Sequence, residues 1–409
     1  MTQAPRRLTG VTSWSSISQA ASAGSNVVIE LAITVFIGLA GLGQWTVRYA
    51  ALITVLYVVR AAFSDVLLAD DAPTGDIGGD ARTSSLLGLV LAIAVVAFTV
   101  FAVIAGLTHD LSWLIVGLAL PAVLAQDLLR YIGFWSLNPR MSATLDLIWL
   151  GVSLLSVIAI ASTRSVTVAI AAWGLGAVIS VAWGLHVTGL RPRSPSAAMT
   201  WWQANRKLGI PTLLDTSLYL LGNQGLWFFV AAAAGTQTLG VLRLALLLAN
   251  PALLVYLAAQ TVLVPTITRE GANATNLAKY VGFAIVAGLA LFFAASLIVL
   301  PILRHVGAVT APISTPLIWL TACYVAASAP YVITASLLRA KRHGRGFLSM
   351  RAIATALTLL TAVVGVQSWG ASAALAGLAL GTACAAAIGL WLSTKWLGTV
   401  DQGSSASLR

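Results

Sequence analysis

Residues 121–130 read Pro-Ala-Val-Leu-Ala-Gln-Asp-Leu-Leu-Arg, and residues 330–339 read Pro-Tyr-Val-Ile-Thr-Ala-Ser-Leu-Leu-Arg. Pro, Val, the Leu-Leu pair and Arg recur at the same spacing, 209 positions apart. Each stretch sits late in a long apolar run. A second pair behaves alike: Arg48-Tyr-Ala50 and Arg243-Leu-Ala245 lie at the same depth in two other runs. Charged positions align as well as apolar ones, so the chain reads as two repeated halves. Each half has an even number of runs, so equivalent runs point the same way. That is a parallel repeat about an axis along the membrane normal.

The apolar runs fall near 14–39, 44–68, 84–107, 111–136, 141–162, 166–188, 208–234, 237–265, 278–300, 315–338, 345–366 and 371–395. Most reach the roughly 20 residues that span about 30 Å of hydrocarbon as a helix. Of the 409 residues, 59% are hydrophobic and only 9% charged, against roughly 25% charged in soluble domains. The strand alternation of a barrel is absent, and helices close their own backbone hydrogen bonds in lipid. The predicted fold is therefore an all-α integral membrane protein of about twelve helices in two six-helix lobes. The expected division is 1–188 for the first lobe, 189–207 for a linker and 208–409 for the second lobe.

The net charge of +11 is explained by placement rather than by a nucleic-acid partner. With the N-terminus inside, the inner loops and tails hold seventeen Lys and Arg, from Arg6 and Arg7 to Arg409, and the outer loops hold Arg164 and Arg304. This asymmetry predicts cytoplasmic termini in a multi-pass cytoplasmic membrane protein. Anionic membrane lipids are additional partners for the inner charge. The linker ends in Trp201, Trp202, Arg206 and Lys207, a composition suited to lying at the inner interface. The opening MTQAPRRLTG leads into a polar helix face, which does not match a cleavable signal peptide.

Cys323 and Cys384 fall inside predicted helices and read as small core residues. No His, Cys or carboxylate spacing suggests a metal, and no Walker A loop or nucleophile–base pair suggests catalysis. The sequence therefore calls for no cofactor and no enzymatic activity.

The informative residues are polar ones inside the runs. A charge at the bilayer centre costs roughly 2.5–3.5 kcal/mol on insertion scales, so it faces a cavity or a partner. Ser15, Gln19, Ser22, Asn26 and Glu30 are spaced four, three, four and four, which makes one stripe on the first helix. Thr212, Asp215, Tyr219 and Asn223 repeat the device on the seventh helix, with Gln224 beside them. Interhelical hydrogen bonding explains one or two such groups; a row of five reads as a wet face. Arg48 and Arg243 occupy the outer third of helices two and eight. They either snorkel to the surface or form a pair of cavity cations for an anionic group, since guanidinium meets phosphate bidentately. Glu30 is a candidate counter-ion for Arg48 or a protonatable coupling group. Asn250 lies seven residues from Arg243 on roughly the same helix face, beside Pro251. Near the inner ends, Arg130 and Arg339, with Asp127, Asp65, Asp146 and Asp215, read either as interface snorkelling or as a gate of ion pairs between halves. Pro121, Pro251 and Pro330 are candidate kinks.

Three stretches carry a family resemblance: Val58-Val-Arg-Ala-Ala62, Leu120-Pro-Ala-Val-Leu-Ala-Gln-Asp-Leu-Leu-Arg-Tyr131 and Leu239-Gly-Val-Leu-Arg-Leu-Ala245, with Val262-Leu-Val-Pro265 closing helix eight. They are similar to the MOP exporter superfamily, in its Wzx-like polysaccharide flippase branch, actinobacterial type. The resemblance implies a V-shaped, MATE-like pair of lobes working by alternating access. It implies a polyprenyl-diphosphate-linked oligosaccharide as cargo, flipped from the inner to the outer leaflet. It also allows glycosyltransferases or a polymerase of the same pathway as partners. Related lipid II flippases carry cavity arginines on helices two and eight, where Arg48 and Arg243 fall, but have fourteen helices. Substrate contacts are then expected from Arg48, Arg243, Asn26, Asn223, Gln224 and Asn250. Coupling or gating is expected from Glu30, Asp127, Arg130, Asp215 and Arg339. One alternative is a cation-coupled multidrug (MATE) antiporter using Glu30. The other is a non-transporting scaffold of an envelope polysaccharide complex.

Overall fold

The structure is a computed structural model that describes residues 4–68, 81–270, 274–308, 314–340 and 344–406, with side chains over 13–68, 81–256, 277–308, 314–338 and 346–395. Among these residues all regular structure is helical. The chain forms α1 (Ala4–Phe36), α2 (Leu39–Leu68), α3 (Ala81–Thr108), α4 (Leu111–Trp135), α5 (Pro139–Thr163) and α6 (Val166–Thr188). A 75-residue helical stretch, Ser196–Glu270, follows. It would run about 110 Å if straight, several times the membrane core. It breaks at Gly235, where φ is 83° and ψ is 167°, a left-handed backbone that glycine tolerates. The break yields α7 (196–234) and α8 (236–270). The remaining helices are α9 (Ala274–His305), α10 (Thr315–Ala340), α11 (Gly344–Trp369) and α12 (Ala371–Ala406). Eleven described helices are long and apolar enough to cross a membrane. Dividing the one kinked at Gly235 gives the expected twelve.

Local chemistry sets the boundaries. Asp110 caps α4 by accepting from the Ser112 N–H at 2.9 Å. Asn138 caps α5, with Pro139 in the first turn, where its missing N–H is not needed. Ser165 caps α6, and Gly189 closes it at φ 66°. The helices continue through Pro121 and Pro330. The departure from α geometry lies in α2, where Arg60–Ser64 form one π-helical turn. α7 begins at Ser196 rather than at 208, because the Trp201–Lys207 segment is amphipathic and escapes an apolar-run criterion. Only about six residues, 190–195, join α6 to α7. They dock on the start of α3: the Arg193 N–H donates to the Ser84 carbonyl at 3.0 Å and the Ser194 carbonyl accepts from the Ser85 hydroxyl, which in turn accepts from the Ala198 N–H of α7 at 3.2 Å.

The chain divides into two compact units, 1–217 and 218–409. In the first, α1 packs along α5, α4 packs against α3 and α6, α6 packs on α5, and α2 leans on α4. In the second, α12 is clamped between α10 and α11, and α9 packs on α10. Close approach there comes from small residues. Ala373, Gly377 and Gly381 recur every four positions on α12. A Cβ on Gly381 would lie 2.5 Å from the Ala354 carbonyl of α11, so this seam depends on glycine. Large apolar side chains point outward on α3 (Val95, Val96, Val100, Leu107) and α9 (Phe283, Leu297). Such faces suit lipid as the outer solvent. Near the expected inner interface, Arg82 sits over Trp135 and Arg140 over Trp14, an aromatic–basic belt. Cys384 is half-buried, but Cys323 is on the exposed face of α10 and is not the core residue expected.

Candidate functional site

Among the described residues of the first unit, a dense polar cluster gathers on α1, α2, α4 and α5. Arg60, the first residue of the π turn, meets Asp127 bidentately: Nε donates to Oδ2 at 3.1 Å and Nη2 to Oδ1 at 2.5 Å. Its guanidinium also lies against Tyr57 (4.8 Å) and Tyr131 (5.4 Å). The π turn aims Arg60 at α4. Trp202, on the first turns of α7, donates its Nε1–H to the Ala62 carbonyl inside that turn at 3.1 Å. Beside this pair, Arg130 Nε lies 3.0 Å from Asp146 Oδ2. Asp146 also accepts from the Ser18 hydroxyl and, at 3.0 Å, from the Gln126 amide. Arg130 and Asp146 are 7% and 1% exposed. Buried charges are tolerated when paired and hydrogen-bonded, and this network joins α1, α2, α4 and α5.

These contacts revise two expectations. Asp127, one turn before Arg130, does not serve it; its cation is Arg60. Arg130 is buried rather than snorkelling, and its carboxylate, Asp146, belongs to its own unit. Sequence proximity suggested the Asp127–Arg130 grouping, but the fold supplies partners from neighbouring helices. The side chain of Arg339 lies outside the described residues. Asp215 is half-buried on α7.

Near the start of α2 in the same unit, Arg48 pairs with Asp110. It donates Nη2–H to Asp110, Nε–H to the Ser112 hydroxyl and Nη1–H to the Gln44 carbonyl (2.8 Å), and lies 5.6 Å from the Trp113 ring. Its counter-ion is thus the loop carboxylate Asp110. Burial opposes ionisation of Asp110, but the Ser112 hydroxyl, the Ser112 N–H and the Arg48 guanidinium outweigh it and hold its carboxyl below the ordinary range.

Between these clusters, Asn26 accepts from Trp173 Nε1 at 3.2 Å. Trp173 contacts Trp45, Tyr49 and Trp149 edge-on or tilted, and Trp45 stacks on Tyr49. Glu30, one turn beyond Asn26, is fully buried. The polar stripe of α1 is thus absorbed in part by side chains of its own unit.

In the second unit, Arg243 of α8 lies 5.8 Å from the Trp227 ring of α7. Asn223 donates to the Tyr219 hydroxyl at 2.8 Å. Gln224 is buried, and Asn250 is half-buried, two turns along α8 from Arg243. Arg351 of α11 lies 5.1 Å from the Tyr219 ring, 5.7 Å from Tyr331 and 5.7 Å from Phe347. Sequence reasoning missed Arg60 and Arg351 as functional candidates. The available signal was a lone cation inside an otherwise apolar run.

No protein-family model matches the sequence, and no curated protein does. Solved structures do match over nearly the whole chain. An outward-facing multidrug resistance MATE family transporter of the MOP superfamily aligns with TM-score 0.62 at 14% identity, covering 97% of this chain and 96% of its own. A MOP superfamily transporter from Pyrococcus furiosus, described as having a binding pocket of reversed polarity that suggests a different function, aligns with TM-score 0.65 at 15% identity, covering 97% and 96%. A MATE crystal structure in complex with MaL6 gives 0.60 at 15%, covering 96% and 97%. The fold is therefore that of the MATE transporters of the MOP superfamily, and the chain is a multi-pass membrane protein. The first two structures are described as transporters.

Proposed function

We propose that the chain is an alternating-access exporter that moves a polyprenyl-diphosphate-linked oligosaccharide from the inner to the outer leaflet of the cytoplasmic membrane, with both termini inside. The observation that carries this reading is the partition of charge. Of the 23 Lys and Arg and 12 Asp and Glu, residues 1–217 hold 12 and 10, whereas residues 218–409 hold 11 and 2. Those two acids, Glu270 and Asp401, lie outside the described spans. In the first unit, Arg48, Arg60 and Arg130 each face a carboxylate. The second unit places Arg243 5.8 Å from the Trp227 ring, a contact that favours a cation. A positive field inside low-dielectric walls draws in anions, and a diphosphate suits guanidinium donors. Asn223, Gln224 and Asn250 supply amides for sugar hydroxyls. Arg48 contributes as an exchangeable donor, since its half-exposed partner Asp110 can yield to a headgroup.

A second reading, a cation-coupled multidrug antiporter, is favoured by one observation: Glu30 is fully buried on α1, where a protonatable carboxylate could couple transport. Such coupling is compatible with either cargo. A scaffold role would leave Arg243 dispensable. The experiment is Arg243→Ala in cells, with lipid-linked oligosaccharide measured in the inner leaflet. Accumulation in properly inserted protein, with partial relief by Arg243→Lys, is expected. Normal export by Arg243→Ala refutes the proposal.

A further inference from the structure

We propose that residues 190–207, which join α6 to the apolar part of α7, form a docking surface for anionic phospholipid headgroups. The proposal is independent of the cargo; only the leaflet, the cytoplasmic one, follows from the topology proposed above. The segment leaves α6 after Thr188 and enters the next apolar run near Leu208, so it lies between two spans. It carries Arg191, Arg193, Arg206 and Lys207, all exposed. The sequence has no Asp or Glu between Asp146 and Asp215, and among the described residues none of the four joins an ion pair. The end of α2 packed against this segment carries Asp65, one negative charge against four positive ones.

These charges stand on a fixed backbone. Pro192 and Pro195 restrict the chain on either side of Arg193. The Arg193 N–H donates to the Ser84 carbonyl at 3.0 Å, and the Ser85 hydroxyl links the Ser194 carbonyl to the Ala198 N–H. The Arg193 carbonyl lies so close to α3 that a Cβ on Gly88 would meet it at 1.9 Å. Trp202 pins the first turns of α7 to α2 through the Ala62 carbonyl, and Arg206 and Lys207 follow one turn later. Met199, Arg206 and Ile210 are seven and four residues apart, which places them on one helix face. Met199, Leu208 and Ile210 are exposed. Cations beside exposed apolar side chains match a membrane interface, with headgroups over the charges and acyl chains against the apolar groups. A soluble acidic protein has no use for that apolar fringe. Anionic lipid surfaces attract basic segments that flank a span. Anchoring the backbone beforehand lowers the entropy lost when guanidinium groups are held against phosphodiesters.

The test uses the full-length protein in phosphatidylcholine nanodiscs doped with phosphatidylglycerol or phosphatidylcholine probes that share one photoreactive acyl chain. Cross-links are mapped by mass spectrometry. The phosphatidylglycerol probe is expected to label 191–210 several-fold more than the phosphatidylcholine probe. About 1 M NaCl, which confines charge interactions to about 3 Å, should remove most of that preference. Arg191→Gln/Arg193→Gln and Arg206→Gln/Lys207→Gln should each reduce it at least about threefold. Arg164→Gln/Arg304→Gln, an equal charge change in the loops assigned to the other side, should preserve it. All six side chains are exposed, so these substitutions leave the fold intact. Equal labelling by the two probes overturns the proposal, as does a preference that survives in both double variants of the segment. Loss of the preference in the presence of soluble glycerol phosphate would mark a free-anion site. Its loss in the presence of polyglutamate would mark a surface for an acidic protein. Either result overturns the lipid assignment.

Discussion

Replacing Asp146 by alanine strands the Arg130 guanidinium in the interior of the first unit. Both side chains are almost wholly buried and 3.0 Å apart. Removing one partner of such a pair costs about 3–5 kcal/mol, because the other charge stays buried and uncompensated. The Gln126 amide loses its acceptor as well, which keeps the estimate from falling below that range. For a unit of about 200 residues, each kcal/mol lowers the midpoint by about 2–4 °C, so the expected loss is about 6–20 °C. Thermal unfolding of detergent-solubilised protein, followed by size-exclusion fluorescence, measures it. The double variant Arg130→Met/Asp146→Leu removes the stranded charge and should recover at least half of the loss. A midpoint for Asp146→Ala within about 1 °C of the parent would refute this account of the network, as would a double variant no more stable than the single one; both expectations rest on the cost of an unpaired buried charge.

Three further predictions address single contacts. Asp110 titrates below the ordinary carboxylate range in the fold. Its contribution to stability is therefore present above about pH 4 and lost as pH falls through the depressed value. Asp110→Asn should flatten the acid limb of the stability–pH curve; an unchanged limb contradicts the Arg48 pairing, and the effect is small because the site is partly solvent-screened. At Gly88, a Cβ would fall 1.9 Å from the Arg193 carbonyl. Gly88→Ala should therefore undock the 190–195 segment at a cost of about 1–3 kcal/mol, seen as faster proteolysis there. Trp202→Phe deletes the hydrogen bond to the Ala62 carbonyl, worth about 0.5–1.5 kcal/mol, and should speed amide exchange across 60–64 while leaving α5 unchanged.

The all-helical class and the number of the helices were legible because lipid demands long apolar runs, and the run boundaries at 234 and 237 already bracketed the Gly235 break. The start of α7 was not, since the segment from Ser196 to Lys207 is amphipathic. The π turn of α2 was hidden for another reason. What accompanies it is tertiary: Asp127 lies 67 positions from Arg60, and Trp202 lies 140 from Ala62. The polar residues that matter were visible as exceptions to apolarity, but their partners were not. Asp127 and Arg130 are neighbours in sequence and on one helix, yet each is satisfied by a different helix. Glu30 was one candidate counter-ion for Arg48, whereas the loop carboxylate that caps α4 pairs with it.

The claim that the cargo is an anionic lipid-linked glycan is tested most directly by reconstitution. Purified protein in proteoliposomes would be given a fluorescent polyprenyl-diphosphate oligosaccharide in one leaflet, and in parallel an organic dye cation. The account predicts that the glycolipid changes leaflet in the wild type, that Arg243→Ala abolishes this, and that the dye does not move. Dye transport that persists in Arg243→Ala and stops in Glu30→Gln, with a static glycolipid, would contradict it.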